Sequence, residues 1–125
     1  MDSSISLLHP RLRDAISRLG YERLLPIQEK AIPVILSGAH TLVVSPTGSG
    51  KTEAALFPVL SMMLSRFKPG DGKIKAIYVT PLRSLNRDIM VRVSRLVREV
   101  GFSIALRHGD STSTVRRNFL ESPPD

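Results

Sequence analysis

No cysteine occurs among the 125 residues, so neither a disulfide framework nor a thiolate metal site can be built. No apolar run approaches the roughly 18 residues that a membrane-spanning helix needs. The N-terminus, MDSSISLLHPRLRD, lacks the basic start and long apolar stretch of a secretory signal. No internal repeat and no low-complexity tract is present. These absences make a cytoplasmic protein without a membrane partner the expectation. Acids are also scarce: 11 Asp and Glu stand against 18 Lys and Arg, a net charge of +7. The excess is concentrated between 83 and 117, where eight arginines face three acids, Asp88, Glu99 and Asp110. Such a segment suits a polyanion partner. A merely solvated surface is the bland alternative.

At 42% hydrophobic, the chain can bury a core and is long enough for one small domain. Its organising stretch is TLVVSPTGSGKT, residues 41–52. The apolar, β-branched run 42–44 is stopped by Pro46 and predicts a buried strand. A glycine-rich loop follows, and then a helix-compatible sequence. Strand, glycine loop and helix in that order is the context of a phosphate-binding loop. Gly48 and Gly50 let the backbone bend toward closely spaced phosphate oxygens. The helix starting near Gly50 offers free N–H groups and the positive end of its dipole. Together Thr47, Gly48, Ser49, Gly50, Lys51 and Thr52 form the candidate ATP site. Lys51 would meet the β- and γ-phosphates, and the Thr52 hydroxyl would hold Mg²⁺. The strict pattern G-x-x-x-x-G-K-[ST] has Ser45 at its first position.

Around this loop the chain predicts alternating elements. Helices are expected over 10–19, 26–36, 51–67, 82–100 and 114–121. Strands are expected over 42–45, 76–80 and 103–106. Pro33 should kink the second helix and Pro58 the third. The expected inward faces are Leu12, Ile16 and Leu19; then Ile27, Ala31, Val34 and Ile35; then Leu56, Leu60, Met63 and Leu64. The fourth is Leu82, Leu85, Ile89, Val93, Leu96, Val97 and Val100. Residues 68–73 should form a polar loop tip. On periodicity alone Gln28 belongs to the solvated surface. Alternating strands and helices imply an α/β fold, a parallel sheet flanked by helices. Ligands then fall at the carboxyl ends of the strands, where both the phosphate loop and Thr80-Pro81 lie.

Four blocks together resemble the N-terminal RecA-like domain of a superfamily 2 helicase. They are Gly20-Tyr21 with Leu25-Pro26-Ile27-Gln28 (similar to the Q motif); 45–52 (motif I); 80–88, TPLRSLNRD (motif Ia); and Arg107-His108-Gly109-Asp110. The last two resemble the large helicase-related (Lhr-type) branch more closely than the DEAD-box proteins proper. The resemblance covers nearly the whole chain. It implies a division into an N-terminal helix and connector, 1–25, and a partial ATP-binding domain, 26–125.

The resemblance carries further expectations. The Gln28 amide would read adenine, since it can donate and accept at once. The catalytic role would fall to Lys51 and Thr52 with ATP and Mg²⁺. Thr80, Pro81, Arg83 and Ser84 would touch the sugar-phosphate backbone of a single strand, DNA ahead of RNA. The Asp-Glu motif of such helicases and their second domain are not found in the sequence, and no adjacent Asp-Glu pair occurs. This implies a fragment whose missing core lies on the same or another chain, with a sheet short of strands. Two rivals remain: a small P-loop phosphotransferase, and a non-catalytic nucleic-acid-binding module.

Overall fold

The structure, a computed structural model, describes residues 3–80 and 87–105. It divides into two compact units, 1–67 and 68–125.

The first unit is a cluster of three helices, with a short 3-10 turn at Ser4–Leu7. Helix α1, Pro10–Arg18, begins with proline at its first position, where no N–H is needed. The His9 ring accepts from the Arg11 N–H at 3.2 Å. The helix ends at the expected Gly20, with the Tyr21 N–H donating to the Ile16 carbonyl at 3.2 Å. Leu12, Ala15 and Ile16 are buried, and Leu19 is half-buried.

Helix α2, Pro26–Leu36, continues past Pro33 to its expected end. Its inward stripe is Gln28, Ala31 and Ile32. That corrects the expected face, because Val34 is exposed. It also overturns the solvated reading of Gln28, which is only 3% exposed. The stripe follows i, i+3, i+4 spacing, and a polar residue can occupy it once its amide is bonded. Helix α3, Lys51–Arg66, is the longest and contains Pro58, which is buried. Of the expected inward residues, Leu60 and Met63 are buried, while Leu56 and Leu64 are only half-buried. Phe57, Pro58, Ala54, Glu53 and Ser61 complete the buried face.

Helix α2 packs along α3, α1 also meets α3, and the 3-10 turn lies on α2. The Ser61 hydroxyl accepts from the His9 N–H at 2.8 Å, tying the start of α1 to α3. The Phe57 ring meets Tyr21 edge-on at 5.4 Å, a favoured aromatic geometry. A clasp joins the 3-10 turn to α2. Glu29 accepts from the Ser3 hydroxyl and, at 2.8 Å, from the Ser4 N–H. The Ser4 hydroxyl returns a bond to the Glu29 carbonyl at 2.7 Å. The Ser3 hydroxyl first, and then the Ser4 N–H, hold the Glu29 carboxyl below its ordinary value.

In the second unit, α4 spans Arg87–Glu99. Its buried side is Val93, Leu96 and Val97, continued by Val100 and Phe102. This is the expected face. Gly101 stops the helix at φ +98°, and the Phe102 N–H returns to the Val97 carbonyl at 3.1 Å. Residues 82–86 of the expected helix, and all of 114–121, lie outside the described residues. In the polar loop before α4, the Asp71 carboxylate gathers the Lys75 ammonium and, at 3.0 Å, the Lys73 N–H.

The expected sheet is not formed among the described residues. The runs 42–45, 76–80 and 103–105 contain no strand. Leu42, Val44, Ile77 and Val79 are each at least 80% exposed, the reverse of a buried strand. The physical reason is that a strand borrows its hydrogen bonds from its neighbours. Apolar β-branched composition cannot substitute for an adjacent strand. Among the described residues no helix is long and apolar enough to cross a membrane.

Candidate functional site

The glycine loop leads directly into the N-terminus of α3. Gly50 is the N-cap, at φ +95° and ψ 26°, a left-handed conformation that only glycine enters cheaply. Its carbonyl accepts the first helical bond, from the Ala54 N–H at 3.0 Å. The N–H groups of Lys51, Thr52 and Glu53 therefore head the helix with no acceptor inside it. They present a compact positive end where an anion is favoured.

The loop before this end is closed on itself. The Ser49 N–H and hydroxyl both donate to the Pro46 carbonyl, at 3.2 and 2.6 Å. The Ser45 and Ser49 hydroxyls lie 2.6 Å apart. Lys51 is exposed, and its Nζ donates to the Ser45 carbonyl at 2.8 Å. Its ammonium thus lies over the loop. Thr52 follows at the second helical position, half-buried. Thr47 and Gly48 are exposed at the loop tip.

Gln28 braces the loop from beneath. Its Oε1 accepts from the Leu25 N–H at 2.8 Å, so a residue in the first turn of α2 caps its own helix. Its Nε2 donates to the Gly50 carbonyl at 3.3 Å, across 22 residues of chain. Contact here is tight. A Cβ added at Gly50 would stand 2.7 Å from Gln28 Nε2 and 2.8 Å from Leu25 Cδ1. Gly50 is thus required twice, for its backbone angle and for the approach of α2.

Between α2 and the loop lies an open cleft of about 470 Å³, lined by Leu25, Pro26, Ile27 and Lys30 on one side. Val44, Ser45, Pro46, Gly48 and Ser49 line the other. Gln28, Lys51 and Thr52 are not part of that lining, because the Gln28 amide is turned toward Gly50. Glu53, in the first turn of α3, is buried. It faces Tyr21, whose hydroxyl stands 3.4 Å from Glu53 Oε2, a long contact.

The structure therefore brings Gln28, Ser49, Gly50, Lys51 and Thr52 to one helix terminus, with Thr47 and Gly48 at its mouth. Thr80 is half-buried and outside any helix. Pro81, Arg83, Ser84, His108 and Asp110 lie outside the described residues. Among the described residues no group of three or more His, Cys, Asp or Glu is placed to hold a metal. Two participants are not signalled by the motif itself. One is the Ser45 carbonyl, because motif spacing specifies side chains and not which carbonyl a lysine meets. The other is Leu25, whose contact with Gly50 crosses distant sequence. The Ser45–Ser49 pair does have a local signal, two hydroxyls four residues apart.

Comparison with known proteins matches residues 25–125 to the DEAD/DEAH box helicase family. A "DEAD-box ATP-dependent RNA helicase 57" of Oryza sativa is 38% identical over 96 residues, 76% of this chain and 17% of that protein. An "ATP-dependent helicase Lhr-Core" of Sulfolobus acidocaldarius is 35% identical over 114 residues, 83% of this chain and 13% of that protein. With both kinds matching so nearly alike, the Lhr-type branch is not singled out. The crystal structure of the RNA helicase Prp28 from Chaetomium thermophilum bound to ADP is similar at a TM-score of 0.75 and 32% identity. That match covers 94% of this chain and 29% of the other. The structural similarity is thus to RecA-like helicase domains, while the sheet itself is not formed among the described residues. The chain spans less than a fifth of the length of these two sequence relatives.

Proposed function

This chain belongs to the DEAD/DEAH box helicase family, and on that premise we propose that it is the ATP- and nucleic-acid-binding portion of an ATP-dependent helicase. The observation that carries the reading is the loop at the head of α3. Its left-handed Gly50, the first N–H groups of α3 and the overlying Lys51 ammonium gather positive charge at one helix end, which suits a polyphosphate. The ADP in the Prp28 structure supports a nucleotide as the anion.

In this reading Lys51 meets the β- and γ-phosphates, and the backbone of 47–52 surrounds them. The Thr52 hydroxyl fits Mg²⁺, which takes few protein ligands and keeps most of its waters. The metal would neutralise charge on the phosphate oxygens. Gln28 holds the Gly50 carbonyl and the start of α2, and with them the edge of the cleft where a base would lie. Its amide is the proposed adenine reader, a role that requires it to exchange its bonds to the Leu25 N–H and the Gly50 carbonyl for the base edge. Thr80, Pro81, Arg83 and Ser84 are the proposed contacts to one strand. The relatives named as RNA helicases make RNA the first polynucleotide to test, ahead of the DNA expected from sequence. The runs 42–45 and 76–80 would become sheet strands where neighbouring strands are supplied.

Hydrolysis needs an oriented water and neutralisation of charge developing on the transferred phosphoryl group. Lys51 supplies part of the second requirement. This chain alone is therefore proposed to bind ATP without turning it over. Unwinding would need an acidic motif and a second domain in addition to these residues.

Calorimetry with ATP and adenosine tests the reading. Lys51→Ala should weaken ATP by about 1.5–3 kcal/mol, the value of a charge-assisted hydrogen bond, and leave adenosine unchanged. Equal weakening of both ligands would remove Lys51 from the phosphate site.

A further inference from the structure

The arginines of α4 are not equivalent, although they crowd one segment of sequence. Arg87, Val91 and Arg95 recur every four residues and Arg98 lies three further on, so they run along one side of the helix. Together with Met90 and Ser94 they line a single shallow depression on the surface of α4. No acid lines it. The acids of this helix, Asp88 and Glu99, stand on the adjoining flank with Arg92, where Arg92 and Glu99 are each engaged in other interactions. Among the described residues, no side-chain hydrogen bond or ion pair is made by Arg87, Arg95 or Arg98. Arg95 makes no ion pair with Glu99, although the two are one turn apart.

We propose that the Arg87–Arg95–Arg98 side of α4 is a nucleic-acid-backbone contact, additional to the strand contacts proposed at 80–84, whereas Arg92 is a structural surface residue. The inference rests on the reading that the chain binds nucleic acid, and it assigns that binding a second surface. Charge and shape favour this occupant. Three guanidinium groups spread over the twelve residues 87–98, eleven rises of about 1.5 Å, span about 16 Å. That is a line of positive charge matched to a chain of regularly spaced phosphates. No aromatic residue lies on the helix to form a stacking platform, and guanidinium groups that face phosphates do not read base identity, so the contact is indifferent to sequence. A protein partner would need a buried apolar anchor and a patch of about 800 Å². The centre of this depression offers only Val91, 45% exposed, and the half-buried Met90.

The test is the salt dependence of binding, measured by fluorescence anisotropy with the full chain and a labelled single-stranded RNA 20-mer. Each phosphate neutralised contributes about −0.7 to the log–log slope on a single strand. Changing Arg87, Arg95 and Arg98 together to Gln should flatten the slope by about two, with no change in preference between two 20-mer sequences. Arg92→Gln should leave the slope where it was. Circular dichroism must show α4 helical in both variants; if the triple variant loses helicity, the single Arg98→Gln replaces it, with a loss of about 0.7 expected. A parent slope that responds to salt but is equally steep in the variant would place the contact elsewhere and overturn this proposal alone. A parent that does not bind RNA would overturn the nucleic-acid reading itself. Binding of a polyglutamate peptide with the same dependence on the three arginines, and none by RNA, would make the side a protein-docking surface instead.

Discussion

Ile32 and Phe57 are completely buried, while Leu42 and Val79, of similar chemistry, are 88% and 87% exposed. The first two belong to α2 and α3, and the others to runs that form no strand. An α-helix closes its own backbone hydrogen bonds and needs only one covered face. Two or three helices can therefore make a core by themselves. A strand has half its bonding potential on each edge and is stable only as one of several. The chain thus builds its helical cluster from local information, and its apolar runs stay open where neighbours are not supplied.

Mutation should sharpen that contrast most at Phe57. Phe57→Ala should cost about 3–5 kcal/mol, the usual loss for a buried aromatic. Leu42→Ala should stay within about 0.5 kcal/mol, as at other surface positions. Urea unfolding followed by helical ellipticity reads both, and comparable losses would mean that the run 42–44 is packed after all.

The junction between run and helix comes next. Gly50→Ala forces a side chain into a left-handed backbone, worth about 1–2 kcal/mol, and adds a clash with Gln28 and Leu25. Gly48, at φ +83°, has nothing within 4 Å of an added Cβ. Gly48→Ala should therefore cost only the backbone share and spare the helical cluster. Equal losses in thermal unfolding would show that α2 does not press on Gly50.

Gln28→Ala should cost about 1–2 kcal/mol, because the Leu25 N–H is left without its acceptor and the Gly50 carbonyl loses one of two donors. If the amide also reads adenine, the affinity ratio of ATP to GTP moves toward one. A stability loss with an unchanged ratio would confine Gln28 to bracing.

The smallest effect is at the clasp on α2. Glu29 has a lowered pKa in the fold, so it binds its proton more readily when unfolded. Its contribution is complete above its ordinary value of about 4.5 and is lost as pH falls through the lowered folded value. Glu29→Gln should flatten the acid limb of the urea midpoint below pH 4.5. Parallel curves for parent and variant would remove the clasp from the account.

The helices were legible because their signals are local. Pro10 and Pro26 mark starts, Gly20 and Gly101 mark stops, and Leu96 with Val97 and Val93 announces a face by spacing alone. The glycine loop at the head of α3 was legible for the same reason, its residues being contiguous. Gln28 was not legible from periodicity, because its burial depends on two backbone partners, one of them Gly50. Leu42 and Val79 misled in the opposite sense: their composition encodes a strand's preference, while pairing is decided by chain that lies elsewhere. The arginines of α4 could be counted in sequence, but their division between an acid-free side and a flank that carries the acids required the helix.

Lys51 already has a ligand. Its ammonium is bonded to the Ser45 carbonyl, so an arriving phosphate oxygen does not simply fill a coordination position. It displaces an incumbent, much as one ligand replaces another on a metal. If ATP binds there as proposed, its binding free energy is that of an exchange, with the released carbonyl left to find water or a neighbouring N–H. Small anions that bind only to Lys51 gain little from such a trade. A polyphosphate that engages the helical N–H groups at the same time gains much more. The loop's internal bond thus sets a threshold that favours a chain of phosphates over a single one.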